Sequence, residues 1–113
     1  MKEQRQQDRV HCDIILNKVE GGHTNVCRAE DLSLGGMKLC RVAEAYEADG
    51  ATVQLQFALP GDEDPIWVSG EKVYEADGNV GVRFTNISHG SFVRLREWLR
   101  NQMITDQLPE FSG

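Results

Sequence analysis

Asp31-Leu32-Ser33-Leu34-Gly35-Gly36 sets a carboxylate, a hydroxyl and two glycines within six residues. It reads as one strand ending and bending into the next. On its N-terminal side, Thr24 to Leu32 carries Val26, Cys27 and Ala29 as the apolar members of a strand. On its C-terminal side, Met37 to Val42 turns Met37 and Leu39 to one face. Further upstream, Val10, Cys12, Ile14 and Leu16 alternate with His11 and Asp13, and Glu20-Gly21-Gly22-His23 is the turn that makes a hairpin.

Downstream the same period-two pattern recurs. Between Thr52 and Leu59, Val53, Leu55, Phe57 and Leu59 face one way, and Gln54 and Gln56 the other. Pro60-Gly61-Asp62-Glu63-Asp64-Pro65 is a turn. Ile66 to Tyr74 is a strand, with Gly70 marking a bulge. Asp77-Gly78-Asn79 is a tight hairpin signal, and Val80, Val82 and Phe84 form one face of a final strand. Ala43 to Gly50, acidic and rich in alanine, is left between a loop and a single helical turn. The pentapeptide Tyr46 to Gly50 recurs at Tyr74 to Gly78, but the flanks differ, so it marks two turns rather than a duplicated unit.

The period then changes. Ser88 caps a helix in which Phe92, Leu95, Leu99 and Met103 recur at spacings of three and four, beside Trp98. The resulting expectation is an all-β domain: a six-stranded antiparallel β-barrel, followed by one C-terminal α-helix that covers an opening or lies against the side. Residues 1–9 read as a flexible arm carrying Arg5 and Arg9, residues 10–105 as barrel plus helix, and residues 106–113 as a disordered tail.

A chain of 113 residues fits one domain that needs no staple to fold. The net charge of -6 argues against a DNA or RNA binder, which would present a basic face to phosphates. No apolar run reaches the length of a membrane span. Three cysteines without a secretory leader point to the cytoplasm. His11, Cys12, His23, Cys27 and Cys40 show no Cys-x-x-Cys spacing, and the cysteines share the barrel's apolar pattern, so core packing is expected rather than metal. Asp31, Ser33 and His89 form no nucleophile elbow, and no enzyme is expected.

Arg5-Gln6-Gln7-Asp8-Arg9, Asp31-Leu32-Ser33-Leu34-Gly35-Gly36 and a supporting Val80-Gly81-Val82-Arg83-Phe84 occur in an order and spacing that resemble the PilZ domain family, receptors for the bacterial messenger cyclic di-GMP. The resemblance runs over residues 5–104 and implies a split barrel of six strands, with the dinucleotide bound across its outer surface. It implies ligand contacts at Arg5, Arg9, Asp31, Ser33 and Gly36, with Gly35 beside them and Tyr74 and Arg83 as a wall of the same site. The chemistry suits such a ligand. Arginine forks onto guanine O6 and N7 or onto phosphate. A carboxylate accepts from guanine's N–H groups. Gly35 and Gly36 permit positive φ and let a ligand approach the backbone. An aromatic face at Tyr74 could stack a base.

The reading that follows is a stand-alone cyclic di-GMP receptor with no cofactor. Its arm orders on binding, and it signals through a downstream protein, as a monomer or weak dimer. The alternative is a PilZ-like interaction or oligomerisation module that binds no nucleotide. Structural roles compete at each residue: Arg5 and Arg9 as a solvated arm, Asp31 and Ser33 as a turn, Tyr74 as a half-buried strand aromatic, and Arg83 as a solvent-face residue.

Overall fold

The computed structural model describes residues 9–43, 52–76 and 78–107. Arg5, most of the N-terminal arm, the Ala43–Gly50 stretch beyond Ala43 and the C-terminal tail lie outside the described residues. Six strands and one helix follow in order: β1 Val10–Glu20, β2 His23–Leu32, β3 Gly36–Ala43, β4 Thr52–Phe57, β5 Ile66–Ala76, β6 Asn79–Ile87 and α1 His89–Gln107. The strands close a barrel in the spatial order β1-β2-β3-β6-β5-β4, every neighbour antiparallel. Glycines carry the tight turns where positive φ is needed: Gly21 and Gly22 between β1 and β2, Gly61 between β4 and β5, and Gly78 between β5 and β6. The β1–β4 seam is short. Its ladder runs only from Asn17 opposite Gln56 to Val19 opposite Gln54.

Alternation puts Val10, Ile14, Leu16, Leu39, Val53, Leu55, Phe57, Val68, Val80 and Val82 into one core. The helix completes it. Ser88 Oγ accepts from Ser91 N at 3.2 Å, which satisfies one of the orphan donors of the first turn. Leu95 (0% exposed) and Leu99 then enter the same core cluster, each burial contributing about 1.5–3 kcal/mol. The helix therefore closes the barrel end where β6 finishes.

Arg94 ties this helix to the turn between β4 and β5. It donates from Nε and Nη2 to Asp62 Oδ2 at 3.1 and 2.7 Å, and from Nη2 to the Asp64 carbonyl. That guanidinium holds the Asp62 carboxyl below its ordinary range. Asp62 Oδ1 also accepts from Asp64 N at 3.2 Å, so the turn is braced from both sides. Arg94→Ala is expected to speed amide exchange at Asp64, with little change in melting temperature, because the pair is partly solvated.

The other barrel end is polar. Lys18 and Glu20 occupy inward positions on β1 at 1% and 3% exposure. Lys18 Nζ donates to Glu20 Oε1 at 3.0 Å, and Lys72 Nζ lies 2.6 Å from Glu20 Oε2. Burial pushes the Glu20 carboxyl upward, but its hydrogen bonds to Lys72 and Lys18 outweigh that and hold it below the ordinary carboxylate range.

Candidate functional site

The bend after β2 is fixed by its own hydrogen bonds. Ser33 N donates to Gly36 O at 2.9 Å, Ser33 Oγ donates to the same carbonyl at 3.3 Å, and Gly35 N donates to Ser33 Oγ at 3.3 Å. Phe84 N on β6 donates to Gly35 O at 2.8 Å, locking the bend onto the neighbouring strand. Ser33 thus orders the turn whatever else it contacts.

Gly35 and Gly36 differ from the expectation: neither takes positive φ. Gly36 is required by space. It pairs with Arg83, and a Cβ there would stand 2.2 Å from the Val82 carbonyl oxygen. The close approach is to β6.

Two β-bulges aim the site's side chains. In β2, Ala29 opposes Leu39 and Asp31 opposes Lys38, so Glu30 is the extra residue. Ala29 points inward, and strict alternation would turn Asp31 inward too; the bulge turns it out. In β5, Lys72 opposes Val82 and Tyr74 opposes Gly81, so Val73 is the extra residue. Tyr74 is thereby brought out over Gly81, where a Cβ would meet its ring at 2.1 Å. The Tyr74 side chain is 47% exposed, with its neighbour Val73 exposed as well.

Arg9, Ser33, Gly35, Gly36, Tyr74 and Arg83 line one open groove of about 240 Å³, floored by Gly81 and Val82. The β1–β2 register makes this meeting possible: Val10 opposes Leu32, so Arg9 enters the barrel beside the bend. Arg83 is already engaged, with Nη2 2.6 Å from Glu71 Oε1. Asp31 does not line the groove. It stands one strand position away, with His11 Nδ1 2.7 Å from its Oδ1, an ion pair when the imidazole is protonated. That Oδ1 is closed to water, with the His11 imidazole as its close neighbour, so a ligand donor reaches it only by displacing His11.

Burial, with Asp31 and Asp13 nearby, pushes the Cys12 thiol up to about 11. Among the described residues no three His, Cys, Asp or Glu side chains cluster for a metal. No described helix is long and apolar enough to cross a membrane. Sequence reasoning weighed His11 only as a metal ligand and did not single out Val73 or Lys38. Their positions depend on cross-strand register and bulges, which no local pattern reveals.

The fold is thus a closed six-stranded antiparallel β-barrel followed by one helix, with Arg9 and Arg83 on one outer groove. The chain belongs to the PilZ domain family, whose profile matches residues 3–101. Solved structures agree on the fold. The Bacillus subtilis inhibitor of motility MotI/DgrA is 16% identical with a TM-score of 0.74, over 94% of this chain and 55% of that one. The chain thus spans about half the length of that protein. The PilZ domain of Escherichia coli YcgR, solved with c-di-GMP, is 17% identical with a TM-score of 0.70, over 94% of this chain and 100% of that one. The PilZ domain of CeSA from a cellulose-synthesising bacterium is 16% identical with a TM-score of 0.63, over 88% and 99% of the two chains. A comparison with curated proteins finds no match.

Proposed function

We propose that this domain is a cyclic di-GMP receptor that binds the dinucleotide between its N-terminal arm and the Asp31–Gly36 bend. The observation that supports it most is the convergence of Arg9, Ser33, Gly35 and Gly36 on one groove, from segments more than twenty residues apart. The groove's volume is below the roughly 300–1,000 Å³ usual for a pocket that encloses its ligand. It seats part of a dinucleotide, and the arm closes over the rest. Arg5 and Arg9 supply the forked donors, for phosphate and for a guanine edge. Asp31 Oδ1 accepts from guanine N–H, displacing His11. The Tyr74 ring offers a stacking face. Arg83 joins only by leaving Glu71.

Ordering of the arm changes the surface offered to a downstream protein, which is the output of a receptor that carries out no reaction itself. The domain acts in the cytoplasm as a monomer or weak dimer, in keeping with its three free cysteines.

Isothermal titration with cyclic di-GMP, using GMP as the control, tests this. Wild type is expected to bind, and Arg9→Ala and Asp31→Ala each to weaken binding by about tenfold or more. Variants that bind as tightly as wild type would overturn the site. No heat and no thermal shift with wild type would overturn the receptor reading and favour an interaction module.

A further inference from the structure

Register places a row of outward positions across five strands beside the groove. His11 opposes Asp31, Asp31 opposes Lys38, Lys38 opposes Gly81, and Gly81 opposes Tyr74. Gly81 has no side chain, and the Tyr74 ring covers it. The space between Asp31 and that ring therefore belongs to Lys38.

Its ammonium is weakly held. Among the described residues its partner is Glu30 Oε1 at 3.7 Å, beyond hydrogen-bond length, with the Lys38 side chain 33% exposed. Glu30 is itself the bulged residue that turns Asp31 outward, so the two features share one cause.

Charge matching gives this position a use. A cyclic dinucleotide carries two phosphate charges. Of the two arginines that line the groove, Arg83 is paired with Glu71 at 2.6 Å, and of Arg5 and Arg9 the proposed reading gives one to a guanine edge, which leaves one arginine for two phosphates. Lys38 is the next cation along the row. A lysine ammonium is a compact point charge on a flexible stem and suits a phosphate without a fixed approach direction.

We propose that Lys38 is a ligand-binding residue of this site: its ammonium leaves Glu30 and pairs with a phosphate of the bound dinucleotide. This rests on the cyclic di-GMP reading of the groove and adds a contact outside both sequence motifs.

Titration of wild type, Lys38→Met, Lys38→Arg, Glu30→Gln and the charge-matched control Arg28→Met with cyclic di-GMP, at low and high salt, tests it. Lys38→Met is expected to lose about five- to tenfold in affinity at low salt and less at high salt, with an unchanged melting temperature. Lys38→Arg is expected to restore binding, and Glu30→Gln to tighten it a few-fold by freeing the ammonium. Binding by Lys38→Met equal to wild type overturns the inference and leaves the receptor reading standing. An equal loss in Arg28→Met, or a salt-independent loss with a lower melting temperature, also overturns it. Absence of binding by wild type ends both.

Discussion

Glu20→Ala is expected to lower folding stability by about 3–5 kcal/mol, measured by chemical denaturation at neutral pH. The carboxylate is the shared anion for two ammonium groups at the barrel end, one of them on the fully buried Lys18. Removing it leaves positive charge in a site closed to water. A domain of this size has about 5–15 kcal/mol of stability in all, so the loss is severe. Replacing Lys18 and Glu20 together by apolar residues of similar volume is expected to recover most of it, because the cost lies in keeping a buried ammonium without this carboxylate rather than in the lost pair. The same group sets an acid limb. The Glu20 carboxyl is held below its ordinary 4.5 in the folded protein. Its contribution is therefore complete above about pH 4.5 and drains away as pH falls through the lower folded value. Glu20→Ala should flatten the decline of stability in that window. An unchanged acid limb would show that the group is not the source.

Gly36→Ala is the second large effect, and it should damage fold and binding together. Its Cβ would meet a backbone carbonyl, Val82 O, so no side chain can swing away to make room. Strands β3 and β6 must part where they support the bend. The expected cost is about 3 kcal/mol, at the upper end of ordinary overpacking, with loss of cyclic di-GMP affinity. Gly81→Ala gives the contrast. There the added methyl meets the Tyr74 ring, the far end of a half-exposed side chain. The ring can leave, so stability should fall only modestly while the groove loses one wall. Equal stability losses in the two variants would sink this distinction.

Much of this was legible in the sequence because barrel strands with one buried face must alternate, and these do. Val53, Leu55 and Phe57 against Gln54 and Gln56 is the clearest case, and all three apolar residues are buried. The helix stripe was legible for the same reason, through Leu95 and Leu99. The bulge expected in β5 at Gly70 is not on that strand: the register shift beside Gly70 inserts Thr85 of β6, and the extra residue of β5 is Val73. What local pattern could not give was the consequence of register. Lys18 passes unremarked in the sequence and Glu20 reads only as part of a turn, until the closed barrel sets Lys72 against Glu20. Arg83 reads as free until Glu71 is set opposite it. Asp31 and Tyr74 owe their outward aim to one inserted residue each, and an insertion breaks the very periodicity from which orientation is read. Gly36 needs to be glycine, though not for the positive φ expected of it, because steric closeness to another strand leaves no mark in the chain's own turn chemistry.

The brief ladder between β1 and β4 implies where the molecule comes undone. With so few rungs there, the cylinder should uncurl along that line before it loosens elsewhere, and amides of Asn17 to Val19 should trade their protons soonest among the strands. The first strand would then swing away like an unlatched door, carrying Arg9 with it. Anything gripping both that arginine and the bend would act as a bolt, so a guest on the outside should slow exchange on a seam it never touches.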